Sequence, residues 1–92
     1  MNNNLTNHAK NRMQQRNIPQ IVIDWLVDYG NSESAGEGSR KYFFDKQSRK
    51  NFKKYAGKIY GTLEQHLNAY VIVASDNSIV TVGIRYEPIR QY

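Results

Sequence analysis

The stretch AYVIVASDNSIVTVGIRY, Ala69 to Tyr86, decides how the rest of the chain is read. Ala69-Tyr-Val-Ile-Val-Ala74 is apolar at successive positions and rich in β-branched residues, the pattern of a central strand covered on both faces. Ser75-Asp-Asn-Ser78 is turn chemistry, and Ile79 to Tyr86 returns as a second strand, so the two are expected to pair antiparallel. In the returning strand Val80, Val82 and Ile84 point one way and Thr81, Gly83 and Arg85 the other. One sheet face is then greasy and takes the helices. The other carries Arg85, with Gly83 beside it leaving the backbone open to close approach by a ligand.

Working outward, Lys41-Tyr-Phe-Phe-Asp45 reads as a further strand, joined through a turn at Gly36-Glu37-Gly38 to a weaker one in the Ser, Asn and Glu-rich residues before it. Upstream, a helix is expected from a Thr6 or Asn7 cap to about Arg16, with Asn17 suited to the left-handed position that follows. Pro19 opens a second helix in which Ile18, Ile21, Val22, Trp25, Leu26 and Tyr29 keep helical spacing, and Gly30 ends it. Residues from about Gln47 to Leu67 place Phe52, Ala56, Ile59, Leu63 and Leu67 on one stripe and Lys50, Lys53, Lys54 and Lys58 opposite, with a break expected near Gly57. The expected fold is α+β: a helix hairpin and a third helix on one face of a small antiparallel sheet. It forms a single domain over residues 1–92, with residues 1–5 as a frayed tail.

Charge is sorted along the chain. Residues 40–58 carry +7, more than the net +5 of the whole, because eight Lys and Arg stand against Asp45 alone. Such a field attracts polyanions such as RNA, DNA or an acidic protein, without saying which. The absence of Cys excludes a disulfide frame and thiolate chemistry, and two isolated His argue against a metal site. No apolar run approaches the ~20 residues a membrane span needs, and the first residues lack a signal-peptide pattern, so a cytoplasmic protein is expected.

His8, Arg12 and Arg16 recur every four residues and line one edge of the first helix beside Ala9 and Met13. An imidazole exchanges protons near neutral pH and a guanidinium grips a phosphate through two hydrogen bonds, so the row has the chemistry for RNA cleavage. A solvated helix edge explains the same spacing, and Arg85 is as readily a solvated sheet residue paired with Glu87.

His8-Ala9-x-x-Arg12-Met13-x-x-Arg16-x-Ile18, followed by the helix ending at Gly30 and by Ile79-Val-Thr-Val-Gly-Ile-Arg-Tyr86, resembles a family of small bacterial proteins that open with a His-Ala-x-x-Arg-Met helix. That family is similar in turn to the RelE/ParE-like toxins. The resemblance implies a RelE-like fold and the toxin of a type II toxin–antitoxin pair: a cofactor-free, metal-independent endoribonuclease acting on free or ribosome-associated RNA and neutralised by an acidic antitoxin. On this reading His8 is acid or base, Arg12, Arg16 and Arg85 clamp the scissile phosphate, and Tyr86 stacks on a base or donates a proton. Lys46, Arg49, Lys50, Lys53, Lys54 and Lys58 then track the RNA backbone. The alternative is a basic module that binds nucleic acid or a target protein without catalysis, as a ParE-like inhibitor of an enzyme would.

Overall fold

The computed structural model describes residues 4–85. In chain order the elements are β1 (Asn4–Leu5), α1 (Asn7–Arg16), α2 (Gln20–Tyr29), β2 (Asn31–Gly36), β3 (Ser39–Phe43), α3 (Lys46–Ala56), α4 (Lys58–Leu63), a 3-10 turn (Glu64–His66), β4 (Ala69–Val73) and β5 (Ser78–Ile84). The strands form one sheet in the order β1-β5-β4-β3-β2, antiparallel from β2 to β5, and the helices pack with it as an α+β fold. Asn4 and Leu5, expected in a frayed tail, instead pair parallel with Ser78 and Ile79. The ladder is extended when Thr6 N–H donates to the Ile79 carbonyl at 3.1 Å. Residues 1–3 lie outside the described residues.

Local signals set the helix ends as read. Thr6 caps α1 by accepting from Ala9 N–H at 3.2 Å, and Asn17 closes it in the left-handed conformation, φ 54°. Gly30 ends α2 against β3: a Cβ there would stand 2.5 Å from the Leu26 carbonyl oxygen and 2.8 Å from that of Phe43, which only glycine avoids. The core gathers Ala9, Val22, Ile23 and Leu26 from α1 and α2, Phe44, Phe52 and Tyr60 around α3 and α4, and Ala69, Val71, Ile79 and Val82 from the sheet.

Two phases differ from the periodic reading, each at an irregularity of the backbone. In β5 the register steps from Ile72 opposite Thr81 to Val73 opposite Ile79, so Val80 is the extra residue of a bulge. Upstream of it the alternation inverts: Ile79 is buried and Val80 is not, while Val82 keeps its inward position. The second phase change is at Gly57, where φ 63° breaks the long helix into α3 and α4. The stripe carried by Phe52 does not continue to Ile59, which is 43% exposed; Tyr60 turns inward in its place.

The face of the sheet away from the core carries Lys41, Phe43, Tyr70 and Gly83, with Phe43 opposite Tyr70 and Tyr70 opposite Gly83. Gly83 does not open the backbone to a ligand. A Cβ at that position would meet the Tyr70 ring at 2.6 Å, so the missing side chain makes room for the ring. The inversion at Gly57 has a direct test: Tyr60→Ala should cost about 3 kcal/mol and Ile59→Ala less than about 1 kcal/mol in urea unfolding. Equal costs would return the inward position to Ile59.

Candidate functional site

Where β3 gives way to α3, the chain brings together residues that are distant in sequence. Phe44, Asp45, Lys46, Arg49, Asn68 and Arg85 line one open cleft of about 510 Å³. Asp45 starts α3 with a reciprocal cap: its carboxylate accepts from Ser48 N–H at 2.8 Å, while its own N–H donates to Ser48 Oγ at 2.9 Å. Asn31 Nδ2 donates to the other carboxylate oxygen at 2.8 Å, tying the start of β2 to the same point. These bonds, led by the Ser48 backbone, hold the Asp45 carboxyl below the usual carboxylate range.

The two arginines of the cleft are held by backbone carbonyls. Arg49 Nη2 donates to the Leu67 carbonyl at 3.0 Å and to Asn68 Oδ1 at 3.1 Å. Arg85 Nη2 donates to the Phe44 carbonyl at 3.0 Å, and its backbone N–H extends the ladder to Asn68 at 2.9 Å. The guanidinium carbon lies 5.6 Å from the Phe43 ring centroid, and Nε is buried with no hydrogen-bond acceptor among the described residues. Within the first turn of α3 there is no acid, so Lys46 and Arg49 oppose the helix dipole against the Asp45 cap alone, and an anion in the cleft would add to what that carboxylate supplies.

The expected site residues divide between two places. Lys46, Arg49 and Arg85 meet in the cleft. Lys50, Lys53 and Lys54 continue along the exposed side of α3 and Lys58 follows on α4, with Lys53 Nζ 5.6 Å from the Tyr60 ring centroid. His8, Arg12 and Arg16 stand on α1 beside buried Ala9 and half-buried Met13, as their spacing requires; His8 is exposed and the two arginines half-buried. None of the three lines the cleft. Tyr86 lies outside the described residues. No group of three or more His, Cys, Asp or Glu able to hold a metal occurs among the described residues.

Phe44, Asp45 and Asn68 were not singled out from sequence. The spacing Asp45-x-x-Ser48, a cap pattern, was the available sign that α3 begins at Lys46 and that its first turn faces outward from a strand end. Asn68 carried no such sign, because its role comes from the packing of Arg49 across the chain.

Residues 5–84 match the model of a family described as "Domain of unknown function (DUF4258)". No curated protein and no solved structure matches the chain. No helix among the described residues is long and apolar enough to cross a membrane.

Because Asp45 titrates lower in the folded state than in the unfolded chain, its contribution to stability is present above the unfolded value near pH ~4 and is lost as pH falls through the folded value. Asp45→Ala should cost about 1 kcal/mol at neutral pH. In urea titrations the gap between wild type and variant should close at acid pH; a gap independent of pH would remove the charged cap from the account.

Proposed function

The chain belongs to the DUF4258 family, whose description names no activity, and from the geometry of its basic surface we propose that it acts on RNA. In this reading it is the toxin of a bacterial type II toxin–antitoxin pair, working in the cytoplasm as a metal-independent endoribonuclease. One observation supports it most. Lys46 and Arg49 from one end of a helix and Arg85 from just past the last described strand share one open cleft, and the exposed lysines 50, 53, 54 and 58 extend from it. The positions fit a backbone held at several successive phosphates.

The chemistry asks little beyond what the side chains offer. The 2′-oxygen of the RNA attacks the adjacent phosphorus, the bond to the 5′-oxygen breaks, one group takes the 2′-hydroxyl proton and another returns a proton to the leaving oxygen. As charge builds on the phosphate oxygens, Arg85, Arg49 and Lys46 stabilise it without rearrangement, because the two arginines are already oriented by carbonyls. His8, the proton-transfer candidate of the sequence, is exposed on α1 with Arg12 and Arg16 along the same edge and does not line the cleft, so this role requires the scissile phosphate to sit where the imidazole and the cleft cations both reach it. An acidic antitoxin would neutralise the same surface by charge.

A second reading, binding of RNA or of a target protein without cleavage, is favoured by one observation: the His8 row does not line the cleft. Purified protein incubated with RNA in EDTA distinguishes the two. Discrete fragments ending in 2′,3′-cyclic phosphate, lost in His8→Ala with unchanged circular dichroism, are expected for the nuclease; binding without fragments gives the second reading. In either case Lys50→Ala should weaken RNA binding regardless of sequence and lower the slope of log K against log salt by about one. An unchanged slope would take the α3 face out of the interface.

A further inference from the structure

The cleft does not stand alone. Arg85, which lines it, lies over the Phe43 ring at 5.6 Å; Phe43 is the register partner of Tyr70 on the neighbouring strand; and Lys41 Nζ lies 4.8 Å from the Tyr70 centroid. Two cation–ring pairs, Arg85 with Phe43 and Lys41 with Tyr70, thus neighbour one another in a strip on the sheet face away from the core, their rings borne by residues paired in register. All four side chains are half-buried, with part of each surface open. Gly83 is what lets the Tyr70 ring lie down on the sheet, and Glu33, opposite Lys41, bounds the strip on the β2 side.

We infer that this strip is a base-stacking platform and that the protein selects single-stranded over duplex RNA, the phosphate next to the platform being held in the Lys46, Arg49 and Arg85 cleft. The inference rests on the RNA-binding reading above and deepens it. Aromatic rings and guanidinium planes stack on the π-face of any base, but only when the base is free of a duplex stack. A-form duplex presents phosphates and 2′-hydroxyls outward and keeps its bases inside, so it can use the lysines of α3 and α4 but not Phe43, Tyr70 or the plane of Arg85. Arg85 is the hinge of the arrangement. Its hydrogen bond to the Phe44 carbonyl and its contact with Phe43 fix the guanidinium at the border between platform and cleft. The charges on and beside the strip, the cations Lys41, Arg85, Lys46 and Arg49 against the acids Asp45 and Glu33, are positive in sum and complement a polyanion, whereas a neutral apolar partner would leave the excess buried without counter-charge.

The test uses the full chain and three probes of equal length made with 2′-O-methyl riboses, which cannot be cut by their own 2′-hydroxyl: a single strand, a duplex, and a single strand lacking its bases. Fluorescence anisotropy should rank the single strand first, with the abasic strand weaker by at least about fivefold. Tyr70→Leu, which keeps an apolar side chain, removes a ring of the platform and spares the contact of Phe43 with Arg85, should weaken single-strand binding by at least about fivefold and leave the abasic and duplex probes within about twofold. Equal affinity of wild type for the natural and abasic strands overturns the platform whatever the variant does, and so does a duplex bound more tightly than the single strand. Binding of all three probes with no preference leaves the RNA-binding reading standing and defeats this one; binding of none defeats both.

Discussion

One buried ring is the core anchor of the basic helix, beside the polar ties of Arg49 and Asp45 and the Tyr55 ring on Tyr29. The sequence of α3, KQSRKNFKKYA, is polar at most positions, and Phe52 is its buried residue. The Phe52 ring lies 4.7 Å from Trp25, 5.4 Å from Tyr29 and 5.2 Å from Phe44, so one side chain joins α3 to α2 and to the end of β3. Without that anchor the helix would have little reason to form. Its lysines repel one another at spacings of three and four residues, each such pair costing about 0.2–0.5 kcal/mol, and its first turn carries cations where the dipole prefers anions. The Asp45 cap offsets part of this locally, and a bound polyanion would relieve the rest.

The consequence is a helix whose stability and whose binding surface are in opposition. Local rules are broken at the first turn of α3, and such breaks concentrate where a ligand completes the site. Arg85 shows the same tension. It is placed by a carbonyl and a ring, and its Nε is buried without an acceptor among the described residues, beside Lys46 and Arg49. An anionic group is the economical answer to all three.

Periodicity failed as a guide where the backbone departs from regular geometry. The bulge at Val80 adds one residue to β5 and so exchanges the faces before it, and a single-residue shift is enough because side chains alternate with a period of two. Gly57, with φ 63°, resets the rotation between α3 and α4 and exchanges Ile59 for Tyr60. Both places contained a visible cause, a long strand and a glycine within a helical pattern, but neither the position of the bulge nor the angle of the break is encoded in spacing. The tight fit of Tyr70 over Gly83 was likewise hidden, since a glycine in a strand admits either a ligand or a neighbouring ring.

What the amino-acid sequence determined by itself was everything governed by short-range chemistry: the caps at Thr6 and Asn17, the end of α2 at Gly30, the hairpin turn around Gly36 and Gly38, the antiparallel return after Ser75, and the concentration of cations between Arg40 and Lys58. Dihedral preferences, alternation and charge act over a few residues and leave their mark in the order of side chains. Which cations share a cleft was decided only by the tertiary structure. Arg85 meets Lys46 and Arg49 because β5 runs beside β4, β4 beside β3, and α3 starts where β3 ends. That neighbourhood depends on strand pairing and on the packing of Phe44 and Phe52, long-range contacts whose partners no local pattern specifies.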